Sequence, residues 1–138
     1  MQEMTEDELL VDALGETAFR TMGALTGIAA DAGVSLTQLR VLAILRDRRL
    51  RIGDLADYLG LERSTMTGLV ARASAKGLLA REPNAEDARA VDVVITEAGL
   101  EVARSLEAAM RDALLPLTTR LAIDDRRALR DLLERMLR

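Results

Sequence analysis

Neither cysteine nor histidine occurs in the 138-residue chain, and tryptophan is missing as well. Without cysteine there is no disulfide, no thiolate nucleophile and no redox thiol. Without histidine the commonest general base and the commonest metal ligand are gone together. One Phe and one Tyr are the only aromatics, so the core must be built from Leu, Val, Ile, Ala and Met. The two prolines and the sparse glycines favour helix over sheet. No stretch approaches the roughly 20 apolar residues of a membrane span. The opening MQEMTEDELL is acidic where a secretory leader starts basic, so a cytoplasmic protein is expected. Asp and Glu are plentiful, but nothing arranges them around a phosphate loop or in a metal-binding run. An enzyme, a metal site and a bound cofactor are therefore not expected.

What is there is enough chain for one core and an uneven charge. The net charge is −4, but residues 1–35 carry seven acids and one base, whereas residues 36–99 carry ten bases and nine acids. The middle of the chain is thus free to present a locally basic face.

Apolar spacing divides the chain. Leu9, Leu10, Ala13, Leu14, Ala18, Met22, Leu25 and Ile28 recur at helical spacing over 6–31. Ser35-Leu-Thr-Gln38 is a capping-box pattern, opening a helix to about Arg46 with Leu39, Leu42, Ala43 and Leu45 inward. Short helices are expected over 52–59 and 62–76, closed by Gly60 and Gly77. Met66, Leu69, Val70 and Ala73 form the inward stripe of the second. Two helices joined through a Gly-containing turn make a helix-turn-helix. The period then falls to 2: Leu79 to Arg81 leads to Pro83, and Val91, Val93 and Ile95 alternate with Asp92 and Thr96, predicting a hairpin with its tip near 84–89. Helix returns over 97–115, where Pro116 is expected to break or kink it, and a last helix is expected over about 124–137. The predicted fold class is mainly α with a small β-hairpin wing. Residues 36–96 form the winged helix-turn-helix lobe, and 1–35 with 97–138 form a helical dimerisation region.

Four motifs in order resemble the MarR family of winged helix-turn-helix transcriptional regulators. The run from Leu55 to Val70 resembles its helix-turn-helix, and Lys76-Gly-Leu-Leu79 its entry to the wing. Asp87-Ala-Arg89 resembles its Asp-x-Arg wing motif, and Ile95-Thr-Glu-Ala-Gly99 its exit into the next helix. The resemblance implies a homodimer on double-stranded DNA, two winged lobes on adjacent half-sites of a pseudo-palindromic operator, and regulation, most often repression, by a small aromatic or phenolic ligand. Three positions depart from the pattern: Ala73 where Leu is usual, Gly68 where many members carry a DNA-facing side chain, and Ala122 where a Ser or Thr cap is common.

The DNA-reading candidates are Arg63, Ser64, Thr65, Thr67 and Gly68 on the outer N-terminal face of the 62–76 helix. A helix enters a major groove with its N-terminal residues toward the base edges. Arg72, further along, suits a phosphate or an intramolecular partner. Arg89 at the wing tip suits a minor groove, with Asp87 accepting from the hairpin backbone or pairing with an arginine. A solvated polar face and a surface ion pair are the plain alternatives. The basic turn Arg46-Asp-Arg-Arg49, with Arg51, reads equally as a solvated loop or a phosphate contact. By analogy with the family, Phe19, Met22, Leu36, Arg40 and Met110 are candidates for an effector pocket, although simple core packing accounts for the apolar ones. Leu9, Leu10, Leu14, Leu129, Leu132, Leu133 and Met136 offer more apolar surface than a monomer covers. The alternative function is a winged-helix protein-interaction module that does not bind DNA.

Overall fold

The computed structural model describes residues 3–138. Six helices and a three-stranded antiparallel sheet follow one another as α1 (Glu6–Asp31), α2 (Leu36–Leu45), β1 (Leu50–Arg51), α3 (Ile52–Leu59), α4 (Arg63–Ala75), β2 (Leu79–Pro83), β3 (Val91–Ile95), α5 (Glu97–Thr118) and α6 (Ile123–Leu137). Two helix starts carry reciprocal side-chain caps. Thr5 and Glu8 bond reciprocally ahead of α1, and Ser35 and Gln38 do so at α2, each satisfying orphan amides of a first turn. Gly33, Gly60 and Gly77 have φ of 71°, 66° and 77°, the left-handed conformation in which a chain leaves a helix.

The chain forms two compact units, residues 25–107 and residues 1–24 with 108–138. The central unit holds the aliphatic core. Leu42, Leu45, Leu55, Met66, Val41, Val70 and Val93 are its fully buried large side chains, drawn from α2, α3, α4 and β3. In the terminal unit no described residue is buried. Leu9, Leu10, Leu115, Leu129, Leu132 and Met136 all remain exposed there.

The winged arrangement matches the expected fold class, with four local corrections. The inward stripe of α2 includes Val41, while Ala43 is exposed. The sheet has a third strand, β1, which pairs with β3 through Leu50↔Val93 and Arg51↔Asp92, so the strand order is β1-β3-β2. The phase of β3 differs from simple alternation: Asp92 is 3% exposed and Val91 44%, because ion pairing and hydrogen bonding hold Asp92 inside. Pro116 does not end α5, which runs on to Thr118. A proline two residues from the end forfeits only one helical hydrogen bond, and the Thr118 and Thr119 hydroxyls both donate to the Leu115 carbonyl.

Candidate nucleic-acid interface

Helix α4 is amphipathic by sequence. Met66, Leu69, Val70 and Ala73 point into the core, so Arg63, Ser64, Thr65 and Thr67 are left on the outer face, all exposed. No side chain caps the first turn of α4, and its partly positive N-terminal end is open outward. Thr67 donates its hydroxyl back to the Arg63 carbonyl (2.9 Å), which leaves its methyl and an acceptor lone pair outward. Gly68 is half-buried. A Cβ there would lie 3.3 Å from Arg72 Nη1, so the glycine leaves room for Arg72 to run back along the helix. The Arg63 guanidinium lies over Gly53 of α3, where a Cβ would overlap Nη2.

The joint between α4 and the wing explains two of the sequence motifs. The Lys76 ammonium donates to the Gly33 carbonyl just beyond the end of α1, a favourable place for a cation. Thr96 donates its hydroxyl to the Gly77 carbonyl (2.6 Å) and its amide to the Leu78 carbonyl (3.1 Å). The same hydroxyl accepts from the Gly99 amide (3.0 Å), capping α5. A Cβ at Gly99 would collide with the Leu78 carbonyl.

In the wing, β2 and β3 pair from Leu79↔Ile95 to Pro83↔Val91. Arg89 projects from the tip, exposed and without an ion pair among the described residues. Asp87 takes both expected roles: its carboxylate accepts from the Arg89 amide (3.1 Å) and lies 4.0 Å from the Arg51 guanidinium. The basic turn before α3 is largely self-neutralised. Arg46 pairs with Asp47 and Glu107, and Arg49 with Asp92 and Glu82. The Asp47 and Glu107 carboxylates push the Arg46 guanidinium above its ordinary range, and Arg46 in turn holds Asp47 below the usual carboxylate range.

Sequence reasoning missed one buried group here. The Asp92 carboxylate accepts from Asn84 Nδ2 (2.9 Å) and from Arg49 Nε (2.8 Å). The Asn84 amide first, and then the Arg49 guanidinium, hold the carboxyl below the usual carboxylate range although burial pushes it up. A charge between Val91 and Val93 was the available signal, but strand alternation places that residue in solvent.

The structure therefore brings α4 and the wing residues of the site together in the central unit. The candidate effector residues divide between the two units. Leu36 and Arg40 lie in the central unit, whereas Phe19, Met22 and Met110 lie in the terminal one, where Phe19 is 78% exposed. An apolar groove of the terminal unit, about 460 Å³, is lined by residues such as Ala13, Thr17, Leu117, Leu121, Leu129 and Leu133. Among the described residues, no group of three acids is placed to hold a metal ion. No single helix there is long and apolar enough to cross a membrane.

Residues 32–90 match the model of the MarR family. A curated relative, the uncharacterized HTH-type transcriptional regulator YfiV of Bacillus subtilis, is 34% identical over 74 residues. The match covers 53% of this chain and 46% of YfiV, so it spans about half of each. Among solved structures, the transcriptional regulator Tm0710 of Thermotoga maritima superimposes with a TM-score of 0.70 at 29% identity, over 92% of this chain and 90% of that one. A mutant of MarR from E. coli, complexed with operator DNA, superimposes with a TM-score of 0.77 at 22% identity, both chains fully covered. A MarR family regulator from Rhodococcus sp. RHA1 reaches 0.81 at 18% identity, over 97% of each chain. These last two likenesses are of fold.

Proposed function

We propose that the chain, whose residues 32–90 match the MarR family model, is a sequence-specific DNA-binding transcriptional regulator of that family that acts as a homodimer. The observation that carries this reading is the pairing of two unobstructed features on one compact unit: the uncapped, polar N-terminal face of α4 and the unpaired Arg89 at the wing tip. In the proposal Arg63, Ser64, Thr65 and Thr67 meet a major groove. Arg89 meets the flanking minor groove, held in place by Asp87. Gly68 leaves room for the Arg72 side chain, which serves a phosphate.

The dimer is supported by the terminal unit, whose exposed apolar side chains on α1 and α6 need a cover. A second copy would also place two winged lobes on a pseudo-palindromic operator. A small aromatic or phenolic effector would act by changing the spacing of the lobes and lowering affinity for DNA, so that the ligand-free dimer is the repressing state. The chain is proposed to work in the cytoplasm and to catalyse no reaction. The division into a DNA-binding lobe of 36–96 and a dimerisation region of 1–35 and 97–138 belongs to the same proposal.

The net charge of −4 and the bare position 68 favour the second reading, a winged-helix protein-interaction module. Enrichment of duplexes from a random-sequence pool by the full-length chain separates the two. The DNA reading expects a recurring inverted-repeat sequence, bound at least a hundredfold tighter than a scrambled duplex, in line with specific over non-specific ratios of about 10³ or more. Failure to enrich any sequence overturns it in favour of the interaction module.

A further inference from the structure

Asp92 has no place in the interface described so far, yet it is the buried carboxylate of the wing. A buried charge is an inefficient way to stabilise a sheet, since a well-packed apolar residue of similar size usually does as well or better. What a carboxylate provides instead is direction, because it only accepts hydrogen bonds. With Asp92 Oδ1 as acceptor, the Asn84 side chain must turn its NH₂ toward Asp92. Its carbonyl oxygen is thereby aimed at the wing tip, where it accepts from the amides of Glu86 and Asp87, at 3.0 Å each. Asp87 then accepts from the Arg89 amide. The backbone closes the loop through Asn84 N–H to the Ala90 carbonyl and Ala90 N–H to the Asp87 carbonyl, both 3.0 Å. On its other side Asp92 is fixed by Arg49, whose guanidinium also reaches Glu82 and lies 3.5 Å from the Pro83 carbonyl of β2. A chain of directional contacts thus runs from the buried base of the wing to the residue at its tip.

We propose that Asp92, acting through Asn84, is a positioning residue for DNA binding: it sets the conformation of the wing tip in which Arg89 meets the minor groove. The inference rests on the DNA-binding reading above. In Asp92→Asn a single side-chain oxygen must serve either Arg49 or Asn84, and the new NH₂ opposes another donor. The Asn84 amide is then free to turn, and the tip amides lose their acceptor. The charge change works the other way. Removing one negative charge beside the wing strengthens attraction to DNA on electrostatic grounds alone, so positioning and simple charge predict opposite signs.

The test is a double-mutant cycle. Wild type, Asp92→Asn, Arg89→Ala and the double variant are titrated at fixed salt onto the duplex that the wild type enriches from a random pool. Amide exchange at Glu86, Asp87 and Arg89 is followed in the free proteins. Asp92→Asn is expected to weaken binding on the order of tenfold, as loss of a well-formed groove contact does, and to speed exchange at all three amides. In the Arg89→Ala background the same substitution should weaken binding no further, although any loss of thermal stability persists. Asn84→Ala, which leaves the charge unchanged, runs the same cycle should Asp92→Asn fold poorly. Unchanged or tighter binding by Asp92→Asn overturns the proposal alone, and so do losses that multiply in the double variant. A wild type that enriches no duplex overturns the DNA-binding reading and the proposal with it.

Discussion

Gly99 and Asp92 show how single residues govern the central unit by opposite means, one by lacking a side chain and one by burying a charged one. With the Leu78 carbonyl where its Cβ would be, Gly99→Ala must push α5 off the α4–β2 turn. Overpacking of this kind costs about 1–3 kcal/mol, and chemical denaturation should show that loss. Asp92 adds a pH dependence of known sign. Its folded carboxyl lies below the usual range, so its contribution to stability is complete above the unfolded value of about 3.9. That contribution is lost as pH falls through the lower, folded value. Asp92→Asn should therefore be less stable than wild type at pH 7, and the gap should narrow on titration toward pH 2. A gap of constant size would mean that the carboxylate charge plays no part. At Gly53, a methyl group would displace the Arg63 guanidinium. Gly53→Ala is expected to change affinity for the enriched duplex while α3 keeps its helicity by circular dichroism, since alanine favours helix more than glycine does.

At the scale of elements, the helices were legible from a 3.6-residue apolar period, to which α1, α3 and α4 add a chemical stop in Gly33, Gly60 and Gly77. The same reasoning missed β1, since two residues carry no period, and only the pairing of Leu50 with Val93 identifies them as a strand. It also misplaced Asp92, because alternation records apolarity and cannot anticipate a charge neutralised from a neighbouring segment. The end of α5 was misread for a related reason: the propensity of Pro116 is local, whereas the Thr118 and Thr119 hydroxyls that support the last turn lie beyond it. For the candidate site, the outer residues of α4 and the wing tip were readable from position. The supports beneath them, Asn84, Arg49 and Thr96, were not, since their roles depend on partners distant in sequence. Helix α6 yields a prediction at this scale. Leu129 and Leu133 line the groove of the terminal unit, on a helix none of whose residues is buried. The paired substitutions Leu129→Glu and Leu133→Glu should convert the proposed dimer to monomer in sedimentation at micromolar concentration, with the helical circular dichroism of the chain largely retained. A wild type that already sediments as monomer would remove the proposed assembly.

For the molecule as a whole, the absences that opened the sequence limit what it can sense. Without cysteine or histidine, thiolate oxidation is closed to it and zinc lacks its usual thiolate and imidazole ligands. Binding to the enriched duplex should accordingly be indifferent to mild peroxide and to micromolar zinc, as a titration with and without each agent will show. A reversible loss with either would require chemistry other than the usual thiol and imidazole routes. The two-residue strand β1 has a consequence for the order of assembly. Arg49 and Asp92 stand 43 residues apart in the chain, with all of α3 and α4 between them. Closing that loop costs entropy that β2 and β3, joined by a short tip, do not meet. The helices form from local contacts within microseconds, but the third strand cannot dock until α3 and α4 have brought its two ends together. Docking of β1 onto β3 is thus expected to be the late step in building the sheet. Duplex DNA clasped by the wing would hold shut, from outside, the seam that the chain closes last.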